Sequence, residues 1–100
     1  MGTASTRALS EQGDRHATTV LVRYFASARA ATGVDSEVLK IPAGSSVGEA
    51  VTELRRLHPG DLERVLDAAS FLLDGVAVRD PGIGVPDGAE LDVLPPFAGG

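Results

Sequence analysis

One stretch limits the possible architecture more than any other. Ser46-Val47-Gly48-Glu49 carries a capping-box signature, with a serine three residues ahead of a glutamate. Val47, Ala50, Val51, Leu54 and Leu57 follow at helical spacing and make one apolar stripe, while Glu53, Arg55 and Arg56 face away from it. His58-Pro59-Gly60 ends the helix. A helix with one apolar stripe needs one cover. The other apolar segments are mostly short and rich in β-branched residues, so that cover is a sheet.

Thr19 to Phe25 reads as the first strand, with Val20, Val22 and Tyr24 on one face and Leu21, Arg23 and Phe25 on the other. An arginine between apolar neighbours predicts that the second face is only partly covered. Ala26 to Thr32, closed by Gly33, reads as a short helical turn. Ser36 to Ile41 is the second strand, with Val38 out of step with Leu39 and Ile41. Asp61 to Ala69 fits a shorter helix with Asp61 as its cap and Leu62, Val65, Leu66 and Ala69 inward. Asp74-Gly75 lies between Phe71-Leu72-Leu73 and Val76-Ala77-Val78, a type I′ hairpin signal. Pro81 to Gly88 must be loop, and Glu90 to Leu94 is the last strand. Gly82-x-Gly84 is no phosphate loop, because no Lys and no Ser or Thr follows it.

The expected fold is α+β. A mixed sheet of about five strands packs on one main helix plus short helices, with the first and last strands parallel neighbours in the middle. This is the β-grasp, or ubiquitin-like, layout. Residues 18–94 form that domain, Met1 to Ala17 a small, polar, disordered extension, and residues 95–100 an extended tail.

Composition narrows the function. A formal charge of −5, from 14 acidic and 9 basic residues, argues against nucleic acid. No cysteine is present, which excludes disulfides, Cys-zinc sites and thiol catalysis. No stretch approaches a membrane span, and the N-terminus has no signal-peptide core, so a cytoplasmic location with no membrane association is expected. His16 and His58 have no clustered ligands around them in sequence, so no metal is expected. His58 reads as a helix-end residue, since no carboxylate is spaced to work with it. The acidic residues read as solvated surface. No pair of side chains looks like a catalytic machine, so the chemistry must be supplied by a partner.

That directs attention to the end of the chain, Leu94-Pro95-Pro96-Phe97-Ala98-Gly99-Gly100. Pro96 forbids helix and holds Pro95 extended. Gly99 and Gly100 have no Cβ and can enter a passage too narrow for any side chain. Six extended residues reach about 20 Å beyond the fold. The only chemical group at the tip is the terminal carboxylate, so the tail has the geometry of an arm that delivers a carboxyl group into another protein's active site. A terminal Gly-Gly is also common as mere flexible chain end.

The heptad resembles the C-terminus of the small subunit of molybdopterin synthase, within the ubiquitin-like sulfur carriers. The Tyr24-Phe25-Ala26-x-x-Arg29 stretch matches a second segment of that family, and the resemblance spans about Val20 to Gly100. It implies that Gly100, with Gly99 beside it, is adenylated by a ubiquitin-activating-like adenylyltransferase using ATP. A sulfurtransferase donor then converts it to a thiocarboxylate, which gives sulfur to cyclic pyranopterin monophosphate. It implies a hetero-tetramer with the large synthase subunit, and partner contacts from Phe25, Arg29, Leu94, Pro95, Pro96, Phe97 and Ala98. On the residues alone, Phe25 is as readily core and Arg29 as readily a solvated cation. No intrinsically bound cofactor is expected, and the resemblance implies a sulfur-donating subunit without a catalytic centre of its own. Carriers for cysteine or thiamine-thiazole synthesis share the chemistry. A ubiquitin-like interaction module whose terminus is never modified is the reading from a different class.

Overall fold

The computed structural model describes residues 17–97. Within them the order is β1 (Ala17–Tyr24), α1 (Ser27–Thr32), β2 (Ser36–Pro42), α2 (Val47–Leu57), α3 (Asp61–Ala68), β3 (Ser70–Leu73), β4 (Val76–Ala77) and β5 (Glu90–Leu94). The sheet order is β2-β1-β5-β3-β4. β1 and β5 are parallel at its centre, and the pairs to β2 and β3 are antiparallel. This is the β-grasp arrangement expected from the order of apolar segments. β1 begins at Ala17, and the rest of the expected N-terminal extension lies outside the described residues.

Strand register explains why one sheet face closes. Side chains alternate across a strand, so Val20, Val22 and Tyr24 of β1 join Leu39 and Ile41 of β2 and Leu91 and Val93 of β5 on one side. All are buried there against Val47, Ala50 and Leu54 of α2 and Leu62 and Leu66 of α3. Val38, the residue out of step, points to the other face and is 61% exposed. Leu57, assigned to the stripe from its spacing, is also exposed.

The ends of α2 show how local and distant groups share the capping. Ser46 Oγ accepts from the Glu49 amide at 3.1 Å, and the Glu49 carboxylate accepts from the Ser46 amide at 3.0 Å, completing the capping box. The amides of Val47 and Gly48 donate to Ile83 O and Pro81 O at 2.9 and 2.8 Å. The glycine-containing loop therefore offers carbonyls to this helix start, so an anion would find these amides already occupied.

In the hairpin, Asp74 and Gly75 have φ of 49° and 82°, both positive as a type I′ turn requires. Leu73 pairs with Val76 across it. α1 ends on Gly33 at φ 79°, in the left-handed region. Asp61 does not cap α3. Gly60 occupies the cap position with φ 100°, and Asp61 lies in the first turn with no side-chain capping bond. There its carboxylate still complements the positive helix end. No helix of the described residues is long and apolar enough to cross a membrane.

Candidate functional site

β5 carries the tail, and it is held on both sides. The Phe25 amide donates to Val93 O at 3.1 Å on the β1 side, while Leu94 pairs with Ser70 on the β3 side. The attachment continues past the strand, because the Phe97 amide donates to Ser70 Oγ at 3.0 Å. Pro95, Pro96 and Phe97 are exposed, and the Phe97 ring is about half-covered at 48% residual exposure. Leu91 and Val93, which anchor this segment, have no exposed surface. Gly99 and Gly100, expected to carry the chemistry, and Ala98, expected to contact the partner, lie outside the described residues.

The sheet face away from the helices surrounds the tail's base. Its side chains include Leu21, Arg23 and Phe25 from the β1 side, Val38 from β2, and Glu90, Asp92 and Leu94 from β5, as the register dictates. Phe25 is 37% exposed, as expected for a face only partly covered. Arg23 spans from β1 to β5. Its Nε and Nη2 donate to Asp92 Oδ1 and Oδ2 at 2.8 and 2.9 Å, a bidentate pair, and Nη2 lies 3.2 Å from Glu90 Oε1. The guanidinium carbon also stands 5.4 Å from the centre of the Phe25 ring. The Asp92 hydrogen bonds raise the Arg23 pKa further above its already high ordinary value. Arg29, on α1, is exposed and sits 3.6 Å from Asp35, also exposed. The structure thus brings Phe25 and the Leu94–Phe97 segment close along β5, with Arg29 on the adjoining helix.

Asp92 departs from the expectation that the acidic residues are solvated. It is 4% exposed, in the middle of a strand whose alternation predicts a polar face. The one sequence signal for it was Arg23, an unexplained cation among apolar neighbours on the facing strand.

His58 also departs from its expected isolation. Glu37 Oε2 accepts the hydroxyl proton of Tyr24 and lies 2.5 Å from His58 Nε2. The His58 and Tyr24 rings meet edge to face at 6.1 Å. Glu37 is distant in sequence and aligned by β-pairing to Val22, so no local spacing could reveal it. Burial, then the bond to Glu37, pushes the Tyr24 phenol well above its usual range, so it stays protonated and acts as a donor. Since His58 is the C-cap of α2, the cluster ties that helix end to β1 and β2.

Other cavities add no chemistry. A groove of about 320 Å³ beside α2 is lined by Val47, Val51, Phe71 and Val78, with Arg55 at its margin held by Asp67 at 2.8 Å. Among the described residues no group of three or more His, Cys, Asp or Glu side chains could hold a metal ion. No buried side-chain polar atom among them lacks a partner.

Comparisons agree with this architecture. A molybdopterin synthase sulfur carrier subunit from Chlamydomonas reinhardtii is 28% identical over 82 residues, covering 81% of this chain and 98% of that protein. The crystal structure of SAMP1 from Haloferax volcanii superposes with a TM-score of 0.70 at 28% identity, over 82% of this chain and 99% of that one. A putative molybdopterin converting factor subunit 1 from Pyrococcus furiosus has a TM-score of 0.70 at 25% identity, over 80% and 99%. A complex of subunits 1 and 2 of the molybdopterin-converting factor from Helicobacter pylori has a TM-score of 0.60 at 18% identity, over 83% of this chain and all of that one, a likeness of fold. The ThiS family model matches residues 22–100, from the second half of β1 through the final glycine, and the chain therefore belongs to the ThiS family.

Proposed function

We propose that this protein is the sulfur-carrier small subunit of a molybdopterin synthase, and that Gly100 bears the sulfur. The observation that carries this reading is the mounting of the tail. β5 is buried between two strands, its attachment runs on to Phe97, and beyond it the sequence has one alanine, two glycines and a carboxylate. The 28% identity to a molybdopterin synthase sulfur carrier subunit supports this pathway over cysteine or thiazole synthesis.

The chemistry follows from what a carboxylate lacks. It is a poor electrophile, because its leaving group would be an oxide. In the activating enzyme the Gly100 carboxylate oxygen attacks the α-phosphorus of ATP, and pyrophosphate leaves. Hydrosulfide supplied by the donor attacks the resulting acyl carbon, loses its proton, and AMP leaves, so Gly100 ends as a thiocarboxylate. That sulfur is ionised near neutral pH and is a good nucleophile. In the large subunit it attacks a side-chain carbon of the cyclic pyranopterin monophosphate, the C–O bond to the phosphate breaks and the phosphate ring opens, and water then cleaves the acyl C–S bond, leaving the sulfur on the pterin and the original carboxylate on Gly100. Two such deliveries build the dithiolene. Gly99 and Gly100 supply steric passage, Pro95 and Pro96 stiffness, and Phe97 an apolar contact at the channel mouth. Phe25, Arg29, Leu94 and Ala98 contact the partner. The large subunit and the activating enzyme supply the acid, base and phosphate-binding groups, and two small with two large subunits form the working assembly.

The test is intact mass after incubation with the activating enzyme, ATP and a sulfide source, followed by assembly with the large subunit. The expected result is a gain equal to one oxygen replaced by sulfur, and dithiolene formation on the pterin. A chain extended by one residue beyond Gly100 should gain nothing. An unchanged mass for the parent chain, or Gly100 found only in amide linkage to another protein, overturns the proposal.

A further inference from the structure

The tail is tied to the domain twice by the same residue. Ser70, the first residue of β3, pairs with Leu94 at the end of β5. Its hydroxyl oxygen also accepts from the Phe97 amide at 3.0 Å. The two residues between these attachments, Pro95 and Pro96, have no amide hydrogen. A β ladder cannot continue through them, and Phe97 brings the first backbone donor after Leu94. That donor is the one Ser70 takes, with a side chain where the strand has run out of pairs.

Ser70 is itself firmly mounted. Ala69, just before it, is the C-cap of α3, and the Ala69 amide donates to Leu66 O. Leu62 and Leu66 of that helix are buried in the core. Phe71, just after it, pairs with Val93, which has no exposed surface. The backbone that carries the hydroxyl is therefore held from both sides, by a packed helix and by the central strand.

This second attachment changes where the tail begins. Counted from Leu94, six extended residues span about 20 Å; counted from Phe97, three span about 10 Å. Proline fixes φ at both positions between the two attachments, so few torsions remain to be searched there. A tail whose base already has one direction in the free protein loses less conformational freedom on entering a narrow passage.

We propose that Ser70 is a positioning residue for the sulfur transfer proposed above, on which this inference rests. Its hydroxyl clamps the Phe97 amide, sets the direction in which the tail leaves the sheet, and stays bonded while each partner receives Gly100. The receiving centre then lies no more than about 10 Å beyond Phe97. Opening the clamp lowers the fraction of carrier competent to enter, which weakens apparent affinity in proportion and leaves the bound reaction as it was.

The experiment uses the full chain with the purified activating enzyme, ATP and a sulfide source. Pyrophosphate release is followed across carrier concentration for the parent, Ser70→Ala, Ser70→Val and Ser70→Thr. A melting curve and the exchange rate of the Phe97 amide hydrogen are recorded for each. Ser70→Ala and Ser70→Val remove the hydroxyl, whereas Ser70→Thr keeps it on a side chain shaped like that of Ser70→Val. Both hydroxyl-free variants should need about fivefold more carrier for the half-maximal rate, the scale of one net hydrogen bond. Their saturated rate should be unchanged and their Phe97 exchange faster. Ser70→Thr should match the parent in all three. A merely structural role would lower the melting midpoint and leave Ser70→Val and Ser70→Thr alike. Equal half-saturation for those two overturns the positioning role. So does a lower half-saturation without the hydroxyl, which would make the clamp an obstacle to insertion. Either result leaves the carrier function standing. A parent chain that releases no pyrophosphate overturns the carrier function, and this inference with it.

Discussion

The two faces of one sheet have opposite fates here. Toward the helices, Val20, Val22, Leu91 and Val93 have no exposed surface and pack in one apolar cluster with side chains of the helices. On the other side, the residues between them make a face that is part apolar, with Leu21 and Phe25, and part ionic, with Arg23 and Glu90 exposed over a buried Asp92. Both faces belong to the same strands, so propensity cannot separate them. The difference is that the closed face is covered by helices of its own chain, whereas no element among the described residues covers the open face. The tail, which issues from β5 between the two, takes its fixed origin from the closed face and its surroundings from the open one.

Substitutions can break this contrast. The largest effect is expected on the closed side: Leu54→Ala should cost about 3 kcal/mol in urea unfolding, because a fully buried side chain leaves a cavity. A loss below about 1 kcal/mol would mean the helix face is not the core described here. Next is Arg23→Leu, which strands Asp92 without a partner in a buried position. It should destabilise more than the double change Arg23→Leu with Asp92→Leu. Equal losses would show that Asp92 reaches water when released.

On the open side the expected readout changes from stability to binding. Phe25→Ala should leave the urea midpoint nearly unchanged and weaken partner affinity by about tenfold, since aromatic anchors dominate interfaces. A large stability loss with unaltered binding would move Phe25 to the core. Ser46→Ala sharpens the closed side again, costing about 1 kcal/mol through loss of the α2 cap.

The smallest effect concerns pH. Tyr24 has its phenol raised in the folded state, by burial first and by Glu37 second. The unfolded phenol releases its proton near its ordinary value of about 10. Above that pH the folded state binds more protons, so stability is full below it and declines as pH rises. Tyr24→Phe should flatten this alkaline decline relative to the parent, measured as the urea midpoint from neutral pH upward. An identical decline in both chains would exclude Tyr24 as its source.

Much of this molecule was legible from one dimension. The capping box at Ser46, the Asp74-Gly75 turn, the glycine after α1 and the alternation of β1 are local signals. Each depends on neighbours within four residues, where backbone geometry and side-chain spacing act directly. The family resemblance of the terminal heptad was legible for the same reason, since proline and glycine carry their backbone properties wherever the chain puts them. What needed the folded chain was every group whose partner is remote. Asp92 is buried because parallel pairing sets it beside Arg23, 69 positions away. Glu37 meets Tyr24 and His58 because β2 runs antiparallel to β1 beneath the end of α2. The amides opening α2 are capped by the carbonyls of a loop more than 30 positions further on. Short-range sterics settle elements before any of them meet, but burial of charge and long-range hydrogen bonding exist only once register has brought distant side chains to a common place.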